Sequence, residues 1–198
     1  QNHKKNNLLL KKNLYYEILK KKPNHVDSLN NLGMIFLQSK DFKNAKKFFE
    51  KTLEINPLNV MGYNNLGLVF KESSELQKAK TYYEKAIEID PNYINAYNNL
   101  GVVLKRLGEL DNSKICFEKA IKINPNIANL YNNLGVVFEE LGKLKKAKKF
   151  TQKALEIDPN YVDAYWNLHS FATNIDEALT ILKKLYKINN KHIRAKIM

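Results

Sequence analysis

Residues 60–93 read VMGYNNLGLVFKESSELQKAKTYYEKAIEIDPNY. Tyr63, Leu66, Gly67 and Phe70 fall at i, i+3, i+4 and i+7, one stripe of an α-helix. Gly67 carries no side chain, so a neighbouring helix is expected to pack closely there. Ser73-Ser74 closes that helix. A second stripe follows at Leu76, Ala79, Tyr83, Ala86 and Ile87, with Ala79 again small enough for a close crossing. Pro91 then stops the second helix, because proline lacks an amide donor and disfavours helical geometry in the residue before it. The stretch is therefore a pair of helices closed by a proline.

The same pattern recurs on either side. The chain's only prolines, Pro23, Pro57, Pro91, Pro125 and Pro159, are each 34 residues apart. Aligned on them, residues 26–59, 60–93, 94–127 and 128–161 form four matching units. Each has Leu or Tyr before Asn-Asn-Leu-Gly: Leu29 to Gly33, Tyr63 to Gly67, Tyr97 to Gly101 and Tyr131 to Gly135. Each then has a small residue (Ala45, Ala79, Ser113, Ala147) and closes on Ile-Asn-Pro or Ile-Asp-Pro. A fixed period of this size marks a stacked-helix array, in which each unit buries its apolar faces against its neighbours. Asp27, Asn95, Asn129 and Asp163, near the starts of the first helices, suit helix N-termini.

Aromatic-x2-Leu-Gly-x2-aromatic, then Ala-x3-aromatic, then Pro, resembles the tetratricopeptide repeat family over nearly the whole chain. The departures are modest: Leu104 replaces the second aromatic, Ser113 the small Ala, and Thr151 the usual aromatic. The resemblance implies an all-α fold, a right-handed α-solenoid of antiparallel helix pairs. Residues 1–25 read as the second helix of a partial repeat, with Leu14, Tyr15, Ile18 and Leu19 expected to cover the first full unit. Residues 162–198 read as a divergent, shortened repeat. Tyr165-Trp166-Asn167-Leu168 opens it, and His169 stands where Gly stood. Its turn is expected to be about three residues short. Ala178, Leu182, Leu185 and Ile188 restore the second-helix stripe, and Ile193 to Met198 is expected to start a further helix. The chain opens at Gln1 without an initiator Met, so residues before it are expected. The array or another domain is expected to continue past residue 198.

The formal net charge is +13. Residues 1–59 hold 12 Lys/Arg against 5 Asp/Glu, whereas residues 60–127 hold 9 against 8. A nucleic-acid channel would be basic along its length, so specific nucleic-acid binding is not expected. No run approaches the ~20 apolar residues of a membrane span. No secretory signal is visible. The lone Cys116 cannot form an internal disulfide, which fits a reducing, cytoplasmic setting. No phosphate loop appears, since the repeat glycines occupy packing or turn columns. His3, His25, His169 and His192 lack metal-ligand spacing, and Cys116 reads as core beside Phe117. Lys143 to Lys153 reads as a solvated helix face. Neither catalysis nor a cofactor is expected of these residues.

Function is sought on the face left over. At ~100° per residue, Asn65 lies roughly 200° from Tyr63, nearly opposite the apolar stripe. The same alignment places Asn31, Asn99, Asn133 and Asn167 there. In the resembled family the first helices line the concave inner surface, so the five would form a ladder. An Asn amide offers one acceptor and two donors, enough to match both the C=O and the N–H of a peptide bond. This column is similar to that of the tetratricopeptide superhelix of O-linked N-acetylglucosamine transferase, which binds substrate peptides. The competing reading is that the Asn column packs first helices together, and both readings can hold. Asn30, Asn64, Asn98 and Asn132 would lie at the groove's edge. Met34, Leu68, Val102 and Val136 would give the groove an apolar line. Lys71, Lys105 and Arg106 would face Glu72, Glu139 and Glu140. Family members that clamp a terminal carboxylate use Lys or Arg where this chain has Asn95 and Asn129, so such a clamp is not expected. Trp166 reads as a binding anchor or, preferred, as packing against the next element.

The expected function is a protein-interaction scaffold that holds an extended peptide segment of a partner. The alternative is the N-terminal arm of a larger methyl-, glycosyl- or sulfotransferase-like enzyme. Self-association through the terminal repeats is also expected, because each end exposes an apolar face.

Overall fold

The computed structural model describes residues 2–197, and the side chains of residues 7–188. Among the described residues the secondary structure is helical throughout: α1 (Asn2–Lys21), α2 (Val26–Gln38), α3 (Phe42–Ile55), α4 (Val60–Glu72), α5 (Leu76–Ile89), α6 (Ile94–Arg106), α7 (Leu110–Ile123), α8 (Ala128–Glu140), α9 (Leu144–Ile157), α10 (Val162–Ser170) and α11 (Ile175–Ile197). The helices fall into two compact units, residues 1–103 and 104–198, with α6 spanning their limit. In the first unit α2 pairs with α3 and α4 with α5, while α1 packs on α2 and α3 on α4. In the second, α8 pairs with α9, and α10 packs on α8, α9 and α11.

Each hairpin within units one to four turns by the same device. After α4, Ser74 adopts φ +65°, and the amide of Glu75 donates to Phe70 O (2.8 Å) while that of Ser74 donates to Lys71 O (3.2 Å). These two bonds form a Schellman cap, which needs one residue in the left-handed region. Lys40, Gly108 and Gly142 hold the same place in the other units, at φ +60°, +78° and +72°. Glycine takes this conformation without strain, whereas Lys40 and Ser74 carry a Cβ that disfavours it.

The Asn-Pro and Asp-Pro closures have their own logic. Asn56, Asp90, Asn124 and Asp158 end the second helices in extended conformation, as a residue before proline prefers. Their side-chain oxygens accept the amides of Leu58 (3.1 Å), Asn92, Asn126 and Asn160 (each 2.9 Å). The Asx turn thus carries the chain from one unit to the next. Asp27 and Asp163 lie in the first turns of α2 and α10, where an acidic charge suits the helix N-terminus, and the caps resolved at α2 and α4 come from the residue before the helix. There His25 and Asn59 accept the amides of Ser28 and Gly62.

Within each compact unit the core lies between paired helices, α2 with α3 and α4 with α5 in the first and α8 with α9 in the second. Phe49, Tyr83 and Phe117 are fully buried, as are Ala45, Ala79, Ser113 and Ala147. Gly67 lies against the Tyr83 ring: a Cβ there would approach Tyr83 Cδ1 to 2.7 Å. Thr151 fills the aromatic position of the fourth unit, fully buried beneath Gly135.

The ends differ from expectation. Leu14 is 58% exposed, so Tyr15, Ile18 and Leu19 make the half-buried face of α1 without it. In the fifth unit the deletion comes out of the first helix rather than the turn. The helix α10 has 9 residues where α4 has 13, and four residues (171–174) link it to α11. Residues 193–197, expected to open a further helix, continue α11, and Met198 lies outside the described residues.

Candidate functional site

The face that the helical wheel leaves over is only partly open. Asn31 is exposed and Asn99, Asn133 and Asn167 are half-buried, but Asn65 is 5% exposed. A first helix packs on two partners, its own second helix and the next first helix, as α2 does on α3 and α4. Residues opposite the hairpin stripe therefore border a second seam, which a wheel drawn for one interface overlooks.

Hydrogen bonds define that seam. Asn99 Nδ2 donates to Asn64 Oδ1 at 3.0 Å, and Asn167 Nδ2 donates to Asn132 Oδ1 at 2.8 Å. The acceptors Asn64 and Asn132 are buried rather than at a groove edge, as is Asn30, which accepts from Thr52 Oγ1 at 3.4 Å. A buried amide oxygen left unpaired would cost about 1–3 kcal/mol, so these bonds tie each Asn pair to the helix stacking. The packing reading is thus realised at Asn99 and Asn167. Each of their amides keeps a second N–H and its Oδ1 beyond that bond.

Beside the ladder, Met34, Leu68, Val102 and Val136 are all half-buried. Lys71, also half-buried, pairs with its neighbour Glu72 at 3.3 Å. Lys105 reaches Glu140 on α8 at 2.9 Å, as the alignment anticipates. Arg106 is exposed. In the second unit the row thus combines amides, short apolar side chains and a charge pair.

Trp166 corrects the expectation that it packs. It is 51% exposed and lies in a T-shaped arrangement with the His169 ring, at a centroid distance of 6.3 Å. Its column-mate Asn132 is buried with α10 against α8. The residue preferred as packing thus stands on the surface.

Elsewhere, Cys116 is buried and in no disulfide. Among the described residues no three His, Cys, Asp or Glu side chains gather as a metal site. No helix among them is long and apolar enough to cross a membrane. Two buried hydroxyls escape the sequence reading. Tyr83 Oη and Thr151 Oγ1 have no hydrogen-bond partner. Burial, with a smaller contribution from the Glu72 charge, pushes the Tyr83 phenol far above its usual pKa, so it stays neutral.

Tetratricopeptide repeat profiles match residues 26–59, 48–81 and 92–160, and a TPR repeat profile matches residues 69–108. The chain is 30% identical to the crystal structure of MamA, over 73% of this chain and 85% of that one, with a TM-score of 0.65. It also resembles YrrB, described as a TPR protein with an unusual peptide-binding site, at 22% identity over 93% and 98% of the two chains and a TM-score of 0.66. PilF of Pseudomonas aeruginosa superposes at a TM-score of 0.76, with 23% identity over 82% of this chain and 75% of that one. These last two likenesses show the fold alone. No curated protein sequence matches. With four overlapping profile matches that together span residues 26–160, a Schellman turn in each of the four 34-residue repeats, and 30% identity to MamA over 85% of that chain, the chain belongs to the tetratricopeptide repeat family.

Proposed function

We propose that this chain is a protein-interaction scaffold whose first helices hold an extended segment of a partner protein. The observation that carries this reading is the half-exposed amide row beside a half-exposed apolar line. It comprises Asn31 and Asn99 with Met34, Leu68 and Val102 in the first unit, and Asn133 and Asn167 with Val136 in the second. Asn99 and Asn167 are oriented by their bonds to Asn64 and Asn132, so they meet a ligand without first losing rotamer freedom. Each retains an acceptor and a donor for one peptide unit of an extended chain, which would make binding tolerant of side-chain identity. The buried Asn65 serves the seam in this scheme, and Asn31 and Asn99 do the binding in its unit. Lys71, Lys105 and Arg106 would tune charge preference at the row's edge. Trp166, exposed beside Asn167, would anchor an apolar side chain. Cys116, in no disulfide, fits the cytoplasmic setting proposed here.

The test is a random-peptide display selection on the whole chain, followed by affinity measurement with the selected peptides. Asn31→Ala with Asn99→Ala, and separately Asn133→Ala with Asn167→Ala, are expected to weaken binding while the helical circular dichroism is kept. Undiminished affinity in both double variants refutes the ladder. Catalysis plays no part in this reading.

A further inference from the structure

A lysine column runs through the second helices at the repeat period: Lys12, Lys46, Lys80, Lys114 and Lys148. The residue that opens each second helix forms a column of its own. It is Asp41, Glu75 and Glu109 before α3, α5 and α7, but Lys143 before α9. Three residues further on stand Asn44, Lys78, Asn112 and Lys146.

In the first unit these columns meet around an aromatic ring. Lys46 Nζ lies 5.8 Å and Lys78 Nζ 5.4 Å from the centroid of Phe70. Glu75 stands with them and accepts from Lys78 Nζ at 2.5 Å. That bond first, then the Ser73 hydroxyl and the charges of Lys78 and Lys46, hold its carboxyl below the usual range. One repeat earlier Lys12 Nζ lies 4.2 Å over Phe36. The acid there is Asp41, lowered first by its bonds to Asn44 and then by the Lys12 charge.

The second unit departs from this arrangement. Lys146 Nζ lies 5.4 Å from Phe138, the counterpart of Phe70, but Lys114 and Lys143 hold the places of Lys46 and Glu75. A carboxylate is exchanged for a third ammonium. Lys143 and Lys146 are exposed, Lys114 is half-buried, and none has an ion-pair partner among the described residues. The acids nearby do not supply one: Glu140 pairs with Lys105, and Asp111 and Glu118 on α7 and Glu139 on α8 form no ion pair. The next lysine of the column, Lys148, keeps an acid by pairing with Glu177 on α11.

We propose that the edge of the α8–α9 hairpin, Lys143 and Lys146 with Lys114 of α7, docks a short acidic segment of a partner protein, one of whose carboxylates takes the place that Glu75 fills in the first unit. Three like charges around one ring repel one another, and an added carboxylate relieves that repulsion while Lys146 keeps its contact with the ring. The exposed Lys145 and Lys149 extend the positive charge along α9 for neighbouring acids of the segment. Asp111 and Glu118 bound the patch on α7, so it matches a short run of carboxylates rather than the long phosphate track of a duplex. This site is independent of the amide row on the first helices.

The test is fluorescence anisotropy on the whole chain at physiological salt, with fluorescein-labelled hexaglutamate as the probe. The peptide is expected to bind saturably and to shift the backbone amides of Lys114, Lys143 and Lys146 in NMR spectra. Lys143→Glu rebuilds the acid of the other repeats and is expected to weaken the peptide by about fivefold or more, whereas Lys47→Glu, the same change of charge on exposed α3, is expected to weaken it by less than about twofold. Lys143→Gln, which removes charge without restoring the acid, is expected to fall between them. Equal losses in Lys143→Glu and Lys47→Glu, unchanged affinity in Lys143→Glu, or no saturable binding overturns the proposal. So does tighter binding of a labelled DNA duplex or of phosphatidylserine vesicles that is lost in Lys143→Glu, which would assign the patch to nucleic acid or to a membrane surface.

Discussion

Replacing Tyr83 by Phe removes one oxygen from the middle of the α4–α5 pair. The ring is fully buried, lies against Gly67, and its Oη finds no hydrogen-bond partner. Burying a hydroxyl without a bond costs about 1–3 kcal/mol relative to water. The sockets at the same repeat position hold Phe49 and Phe117, also fully buried, so the backbone frame accepts a Phe ring. The void left by one oxygen is smaller than a methyl group and offsets only part of the gain. Tyr83→Phe is therefore expected to stabilise the chain by ~1 kcal/mol, a rise in Tm of about 2–4 °C for a chain of this size. Urea unfolding followed by far-ultraviolet circular dichroism measures it, with the slope compared between variants because arrays can unfold in parts. Phe49→Tyr is the reciprocal control and is expected to destabilise by about 1–3 kcal/mol. If Tyr83→Phe instead lowers stability by ~1 kcal/mol or more, the phenol makes a bond worth keeping and the reasoning fails.

The turns give a paired prediction: Ser74→Gly is expected to stabilise by ~1 kcal/mol and Gly142→Ala to destabilise by a similar amount, measured in the same unfolding assay. Gly67→Ala gains about 1 kcal/mol of helix propensity but forces the Tyr83 ring aside, so a net loss of about 1–2 kcal/mol is expected from the same curves. Glu177 reports on pH. Its hydrogen bond to Lys148, and then the Thr173 amide, hold its carboxyl below the usual range. A lowered folded pKa contributes stability above the unfolded value, near 4.3, and loses it as pH falls through the folded value. Amide protection factors in the first turn of α11, corrected for the intrinsic slowing of exchange in acid, should therefore fall as the solution is acidified through that window, and Glu177→Gln should remove this pH dependence. Fast exchange at neutral pH in the native chain would contradict this.

Much of the architecture is legible before any coordinates. The proline period gives the units, and the stripe around Tyr63 and Tyr83 gives the two helices of each. The Asn-Pro closure also gives its own turn, since an Asx residue before proline has both the conformation and the acceptor for it. Less legible is the left-handed residue, because Lys40 and Ser74 occupy a place that Gly108 and Gly142 mark as a glycine site. A single copy with Ser there gives no sign of positive φ. The three-residue deletion in the fifth unit is visible as a spacing, but sequence cannot say which element it shortens. The structure takes it from α10.

The amide row shows why site residues are harder to read than helices. A helical wheel sorts positions by angle about one axis, and the angle of Asn65 says only that it points away from α5. Whether that direction is solvent depends on how many neighbours the helix has. In a stacked array a first helix has two, so the row stands at the border between a seam and an open face. Asn64 falls within the seam, Asn99 reaches it with one amide N–H, and Asn31 lies outside it. The same amide chemistry serves both sides of that border. Packing therefore does not argue against binding: an amide already held at one N–H has its remaining donor and acceptor fixed in direction. In the proposed binding mode, that fixing would let a short, sequence-tolerant contact repay the entropy of ordering an extended chain.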